Sequence, residues 1–233
     1  MSSGARAILG PARTTLGTLV LCLGLLAALA AQAMAHADFG AVAASKDARA
    51  IADWVSASGD NHGLPFVIVD KVEAKVFVFH PDGRLRGAAP ALVGLARGDD
   101  SVPGIGERKL SSIRPEERTT PAGRFVAALG ADLGDKEVVW VDYEAAVSLH
   151  RVITTNAKEH RLRRLATRSP LDNRISYGCI NVPAAFYDSV VQPAFTGTNG
   201  IVYILPEVRS LRDVFPAFAE PGRSSVLTVA ATP

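Results

Sequence analysis

Apolar residues in the first part of the chain follow the period of a helix. Ser45, a residue that favours the N-cap position, precedes four apolar residues that share one helix face. These residues are Ala48, Ile51, Ala52 and Val55. The pattern predicts a short amphipathic helix that ends in the polar stretch 59–65, which contains two glycines and a proline.

After residue 65 the pattern becomes typical of strands. Residues 66–69 are apolar throughout, as in a buried strand, and 72–79 alternates loosely but is rich in Val and Phe. His-Pro-Asp-Gly at 80–83 predicts a turn, because proline fixes φ and glycine accepts a positive φ. A returning strand is expected over 85–93.

The remainder of the pattern predicts more strands and one further buried helix. Strands are expected over 125–129, 137–142, 145–152 and 200–205, and Pro183 opens a helix at a position that proline tolerates. Residues 94–121 are polar and rich in Gly, Pro and Ser, which predicts a long irregular loop, and such loops are often functional. Together, these elements predict a mainly β domain over residues 65–207.

The first 35 residues predict an exported protein. Arg6 and Arg13 precede the apolar run 16–30, and Ala-Met-Ala at 33–35 offers a cleavage site, so 1–35 is interpreted as a signal peptide. The alternative is a retained membrane anchor, but the small residues that follow favour cleavage. Residues 36–64 form a helical lead-in and 208–233 a C-terminal tail.

Removal of the leader changes both the charge and the cysteine count. The leader holds two of the 25 basic residues and none of the 23 acidic ones, so the remaining chain is neutral and the net charge of +2 does not indicate nucleic acid. Cys22 also lies in the leader, which leaves Cys179 without a disulfide partner. An unpaired thiol in an exported protein is either a buried inert residue or a reactive one.

Two residues are candidates for thiol chemistry. Gly178 precedes Cys179, and a glycine there lets backbone N–H groups approach a reacting carbonyl closely. A thiol needs a base to reach its thiolate form, and His150, at the end of an apolar strand, is the best candidate, although a histidine there is often structural. A metal site is not expected, because His150, His160 and Cys179 lack any metal-ligand spacing.

Three segments then resemble one family, the L,D-transpeptidase catalytic domain of YkuD type. Residues 176–183 read Ser-Tyr-Gly-Cys-Ile-Asn-Val-Pro, similar to that family's Ser/Thr-His-Gly-Cys followed by an apolar residue and Asn or Arg. Thr-Pro-Ala-Gly-Arg-Phe at 120–125 resembles its Thr-Pro-x-Gly-x-Phe segment, and 66–83 its opening hairpin. The resemblance covers about 66–205 and implies a β-sandwich or barrel with one helix after the cysteine.

The resemblance also implies roles for individual residues. Cys179 would be the nucleophile and His150 the general base, with the backbone carbonyl of Arg151 orienting the imidazole. The N–H groups of Gly178 and Cys179 would stabilise the oxyanion. The residues expected at the substrate are Ser176, Tyr177 and Asn181, the last of which would support either the substrate or the loop. The reaction would be acyl transfer from a peptidoglycan stem peptide, in the periplasm or at the cell wall, without metal or organic cofactor.

Two departures from the family pattern leave alternatives open. Tyr177 stands where the family commonly has His, and His150 lies 29 positions before Cys179, a longer spacing than usual. The surplus holds a basic insert, 158–168, which is either a solvated helix face or a lid that attracts anionic stems. A hydrolase acting on the same stems and a wall-binding module without catalysis are the rival functions. Papain-type peptidases and sortases do not fit, because of chain order and the Asn-Val-Pro after the cysteine.

Overall fold

The computed structural model describes residues 36–132, 134 and 136–218. The predicted signal peptide and the predicted tail from residue 219 onward lie outside these residues. No helix in the described ranges is both long and apolar enough to cross a bilayer.

Strands dominate the described residues, which confirms the predicted mainly β fold. Eight of them form one sheet in the order β3-β2-β1-β10-β5-β6-β7-β9, and β4 pairs with β8. The strands are β1 Phe66–Asp70, β2 Lys75–Phe79, β3 Leu85–Pro90, β4 Val93–Gly94, β5 Gly123–Ala131, β6 Glu137–Asp142, β7 Val147–Arg151, β8 Arg174–Ser176, β9 Ile180–Val182 and β10 Gly200–Ile204.

The sheet is nearly closed. Leu92, which follows β3 at one edge, exchanges two backbone hydrogen bonds of 2.8 and 2.9 Å with Asn181 of β9 at the other edge. Closure of this kind leaves few unpaired edge groups and brings the two ends of the sheet together beside the cysteine.

Helices cover the two faces of this sheet. The helices are α1 Lys46–Ser58, α2 Arg161–Ala166, α3 over 184–195 with a π-helical turn at Tyr187–Val191, and α4 Leu211–Val214. Tyr187, Val191 and Phe195 of α3 pack on one face with β1, β7 and β9. The apolar stripe of α1 packs on the other face of β1, β2 and β10, together with Phe215 and Phe218.

The predicted α1 is present, and its start follows from the cap. The side chain of Ser45 accepts a hydrogen bond from the N–H of Ala48, and Gly59 ends the helix in the left-handed conformation. The second strand differs from its prediction, because it begins at Lys75 rather than at residue 72. The carboxylate of Asp70 accepts the N–H groups of Val72 and Glu73, which makes that segment a turn.

Two further segments differ from the pattern-based expectation. The short strands β8 and β9, which flank the cysteine, were not predicted, because three residues are too few to show an alternation of apolar and polar positions. In the segment after residue 207, Ser210 caps α4 and the rings of Phe215 and Phe218 are 3% exposed, so this part of the predicted tail packs into the core.

Candidate active site

Cys179 and His150 lie at one end of two neighbouring parallel strands. His150 is on β7, opposite Asn181 of β9, and Cys179 immediately precedes β9. Leu149 is fully buried in the core, so His150 and Ser148, one position to either side, point to the opposite face of the sheet. The alternation of β7 therefore presents a hydroxyl and an imidazole to the same cysteine.

The backbone fixes the tautomer of the His150 ring. Its Nδ1 lies 2.7 Å from the carbonyl oxygen of Arg151, and because a carbonyl only accepts, Nδ1 carries the proton. The other ring nitrogen is then available to Cys179. Burial alone lowers the pKa of the imidazole, but the hydrogen bond to Cys179 and the charge of its thiolate outweigh burial and raise it.

Two residues beside the sulfur of Cys179, Ser148 and His150, favour the thiolate, whereas the carbonyl of Ala146, 3.6 Å from Sγ, accepts from the protonated thiol. The thiol is partly exposed, and the hydroxyl of Ser148 donates to Sγ at 3.6 Å. Burial raises the pKa of the thiol, but the hydrogen bond and charge of His150, helped by the backbone N–H and hydroxyl of Ser148, lower it below its ordinary value. The pKa of the thiol is lowered and that of the imidazole is raised, so both shifts favour the charged forms of the two residues.

The cysteine loop, residues 177–179, is held by the segment that ends the irregular loop. The hydroxyl of Thr120 donates to the carbonyl of Gly178 at 2.7 Å and accepts the N–H of Gly94 at 2.8 Å. Gly178 has φ +139°, and a Cβ there would lie 2.8 Å from the carbonyl oxygen of Thr119. Glycine is therefore required at this position by both conformation and space.

The two N–H groups expected at an oxyanion hole differ in the structure. The N–H of Gly178 donates to the hydroxyl of Ser176 at 3.1 Å and is already engaged. The N–H of Cys179 has no acceptor among the described residues. Cys179 therefore offers the free donor, and Gly178 serves mainly through its conformation.

Two residues expected at the substrate are buried. Ser176 is 3% exposed and Asn181 is 1% exposed, and the side chains of both donate to the carbonyl of Cys179, at 2.7 and 3.2 Å. This differs from the sequence expectation, because such burial leaves no surface for a substrate. It favours the second role considered for Asn181, which is support of the loop.

Tyr177 takes a different position, at the rim of the site. Its ring is partly exposed and the guanidinium of Arg118 stacks on it, 4.0 Å from the ring centroid. Arg118 belongs to the predicted irregular loop, which contains three 3₁₀ turns, at Ile105–Glu107, Leu110–Ser112 and Pro115–Glu117. This loop forms one wall beside the cysteine loop.

The basic insert is partly packed rather than wholly solvated. It contains the end of the 3₁₀ turn Ala157–Glu159 and the helix α2. Leu165 is buried, the guanidinium of Arg164 donates to the carbonyls of Glu159 and Asp172, and Arg161 reaches Asn181. The cations that remain exposed are Lys158, Arg163 and Arg168.

A cavity of about 300 Å³ opens next to His150. Glu137 and Lys136 of the β6 side line it, together with Arg151 and the segment 152–155. A larger cavity, of about 520 Å³, lies elsewhere, between the lead-in to α1 and the end of the basic insert. The described residues contain no group of three or more His, Cys, Asp or Glu side chains arranged to hold a metal ion.

Comparison with known proteins returns structural similarity only. No family model matches the sequence, and no curated protein matches it. The structure is similar to an L,D-transpeptidase from Mycobacterium tuberculosis H37Rv, at 15% identity and a TM-score of 0.37, over 60% of this chain and 57% of that chain. It is also similar to L,D-transpeptidase 3 from Mycobacterium tuberculosis in complex with a faropenem-derived adduct, at 15% identity and a TM-score of 0.37, over 61% and 60% of the two chains.

A third similar structure is the helical cell shape determining protein Pgp2 from Campylobacter jejuni, at 16% identity and a TM-score of 0.41, over 67% of this chain and 55% of that chain. The chain spans less than two thirds of the length of each of these structures. Because all three TM-scores are below 0.5, the function is inferred from the chain's own residues.

Three residues at the site were not predicted from the sequence. Ser148 was detectable in principle, because a residue two positions before His150 on a strand shares its face. Thr120 and Arg161 act across 58 and 20 positions of sequence, on Gly178 and Asn181, and only the closure of the sheet brings them there.

Proposed function

We propose that the protein is an exported cysteine acyltransferase that acts on peptidoglycan stem peptides by L,D-transpeptidation. The observation that carries the proposal is the Cys179–His150 pair, with the imidazole oriented by the carbonyl of Arg151 and the sulfur contacted by Ser148. The order His, Gly-Cys, apolar, Asn along the chain supports the stem peptide as substrate, and the leader sequence supports export to the periplasm or wall.

The first half of the proposed reaction forms a thioester. The thiolate of Cys179 attacks the carbonyl carbon of the diaminopimelate residue that precedes the terminal D-Ala, and the carbonyl electrons move to oxygen. The N–H of Cys179 is placed to donate to that oxyanion. When the intermediate collapses, the bond to the D-Ala nitrogen breaks, and this nitrogen takes a proton from the imidazolium of His150.

The second half transfers the acyl group. An acceptor amine attacks the thioester carbonyl, neutral His150 takes the proton of that amine, and the thiolate of Cys179 leaves. If water enters in place of the amine, the product is a shortened stem and the enzyme is an L,D-carboxypeptidase. Both outcomes use the same residues, so the acceptor alone separates transferase from hydrolase.

The test is intact-mass spectrometry of the protein incubated with isolated tetrapeptide stems and, separately, with a carbapenem. We expect an acyl adduct that maps to Cys179, release of D-Ala, and neither in Cys179→Ser. Cross-linked dimers among the products identify the transferase, and tripeptides identify the hydrolase. A folded protein that forms no adduct and releases no D-Ala contradicts the proposal and favours a wall-binding module.

A further inference from the structure

Arg161, the first residue of α2, connects the basic insert to the catalytic pair. Its side chain is only 12% exposed, although it belongs to a surface helix of six residues. The guanidinium donates from Nη1 to Oδ1 of Asn181 at 2.7 Å and from Nε to the carboxylate of Glu159 at 2.5 Å. A planar guanidinium that donates to two different residues in this way is held in one orientation.

This contact determines which way the Asn181 amide points. Arginine can only donate, so the atom of Asn181 that faces it must be the oxygen. The amide nitrogen is then directed to the other side, where it donates to the carbonyl of Cys179 at 3.2 Å. Without Arg161, only the hydrogen bond to the carbonyl of Cys179 would hold this orientation, and the reverse orientation would set two oxygens against each other.

The carbonyl of Cys179 is a sensitive point for the site. It also accepts the hydroxyl of Ser176 at 2.7 Å, so two side chains fix the peptide plane that follows the nucleophile. This plane is bonded to the Cα of Cys179, so holding it in place also restrains the backbone that carries Sγ. Asn181 also lies opposite His150 in the register of β7 and β9, so it is next to one residue of the pair and hydrogen-bonded to the other.

Arg161 also contributes charge. Its guanidinium opposes protonation of His150 and so lowers the pKa of the imidazole, against the effect of the Cys179 thiolate. The other charged groups that surround His150 belong to the β5–β6 side and to β7 itself. These groups are Asp132, Lys136, Glu137 and Arg151.

We infer that Arg161 is a positioning residue of the catalytic pair, which acts through Asn181 on the loop of Cys179 and directly by its charge on His150. The inference rests on the proposed function only for the identity of the pair. It assigns to the basic insert a role within the site, in addition to any attraction of substrate from solution. The reactivity of Cys179 then depends on a helix 13 or more positions before it in the sequence.

The experiment compares Arg161→Met, Arg161→Lys and Asn181→Ala with the parent by two measurements that need no wall fragment. The first is the rate of Cys179 alkylation by iodoacetamide, and the second is the NMR titration of the His150 ring. Arg163→Gln is the matched control, because Arg163 lies on the same helix and is exposed.

We expect Arg161→Met to slow alkylation about tenfold, the loss of one hydrogen bond to a charged group, and to raise the pKa of His150. Arg161→Lys should keep the His150 titration of the parent while slowing alkylation, since it retains charge but not the fork. Asn181→Ala should likewise slow alkylation without raising the pKa of His150. In the double variant Arg161→Met/Asn181→Ala, the losses in alkylation should not add, because both changes break the same link.

Equal alkylation and titration in Arg161→Met and Arg163→Gln would overturn the inference. Additive losses of the alkylation rate in the double variant would also overturn it. The same holds if alkylation is slower in all variants, including Arg163→Gln, while the His150 titration is unchanged in each, because that result indicates a purely structural role for the helix. If Arg161→Met fails to fold, the alkylation rates and His150 titrations of Arg161→Lys and Asn181→Ala still test the inference. Inactivity toward stem peptides together with the expected alkylation pattern would contradict the proposed function and leave Arg161 in its role.

Discussion

The hydroxyl of Ser148 donates a hydrogen bond to the sulfur of Cys179 at 3.6 Å, from the same strand face that carries His150. A donor stabilises the charged thiolate and not the neutral thiol, so this contact acts in the same direction as the imidazolium. Ser148 is 6% exposed and faces Trp140 across the β6–β7 ladder, so its hydroxyl has little freedom to turn away.

Ser148→Ala should therefore weaken the thiolate form of Cys179. The variant loses a donor that lowers the thiol pKa, so this pKa rises and the acid limb of the alkylation profile moves to higher pH. On that limb the rate should fall roughly tenfold, the equivalent of one hydrogen bond to a charged group. Iodoacetamide alkylation from acid to alkaline pH measures it, and the exposed Ser189→Ala is the control. Superimposable profiles for Ser148→Ala and the parent would mean that the contact has no effect on the thiolate.

His150→Gln should lower acylation by stem peptides or a carbapenem by roughly two to four orders of magnitude, the usual contribution of a positioned proton-transfer group. The amide cannot become an imidazolium, so both the thiolate and the proton for the leaving amine are lost. His160→Gln is the matched comparison, because His160 is exposed at the start of α2. His62 and His80, which lie in turns, should matter equally little. A loss in His160→Gln as large as that in His150→Gln would show that the wrong histidine is assigned as the base.

The sequence predicted the elements that have strong local signals. The N-cap and apolar stripe of α1, the Pro-Asp-Gly turn before β3 and the apolar strands β1 and β10 all carry such signals, and each is present. Cys179 and His150 were also singled out from the sequence, and the structure brings their side chains together, while their catalytic roles stay predictions.

What the sequence did not predict depends on contacts between distant segments. The strands β8 and β9 are three residues long, and their pairing is with β4 and β7 rather than with each other. The burial of Asn181 and Ser176 follows from that pairing, and so does the contact of Arg161 with Asn181. A basic run has the same sequence pattern whether its cations face solvent or a buried amide, so only the fold separates the two.

Asp99→Asn should destabilise the fold by about 3 kcal/mol near neutral pH, because it removes the carboxylate nearest to the buried ammonium of Lys71. Lys71 Nζ lies 2.8 Å from Asp99, and neither side chain is more than 1% exposed. Burial raises the pKa of Asp99, but Lys71 and the N–H groups of 207–209 outweigh it and lower the pKa from 3.8 to about 2.

The sign of the pH dependence follows from this shift. A carboxyl whose pKa is lower in the folded state stabilises the protein above its unfolded pKa, and this stability is lost as the pH falls toward the folded value. Between about pH 5 and neutral pH the difference between the parent and Asp99→Asn should therefore be constant, and it should shrink below pH 5, towards pH 2. Urea denaturation at several pH values measures this difference. A difference that stays constant down to pH 2 would exclude the carboxylate as its source.

The exposed cations of the basic insert should affect the capture of substrate rather than the chemistry. Arg163 and Arg168 are exposed, whereas Arg161 and Arg164 are engaged within the protein. Arg163→Glu/Arg168→Glu should raise KM for stem peptides roughly tenfold at low salt, because these stems carry carboxylates that a positive surface attracts. High salt should reduce the difference, since exposed charges are screened beyond ~8 Å at physiological ionic strength.

The matched control is Lys46→Glu/Arg212→Glu, which reverses two exposed cations on α1 and α4. These helices belong to the second apolar cluster, on the face of β1, β2 and β10 opposite to α3. The control changes the net charge by the same amount, so a general charge effect would appear in both variants, and attraction at the insert only in the first. Alkylation of Cys179 by neutral iodoacetamide should be equal in both, because the Cys179–His150 pair is untouched. The measurement is kcat/KM at two salt concentrations. If both variants change kcat/KM equally, with the same salt dependence, the insert does not steer substrate, and its contribution to the site is limited to the contact between Arg161 and Asn181.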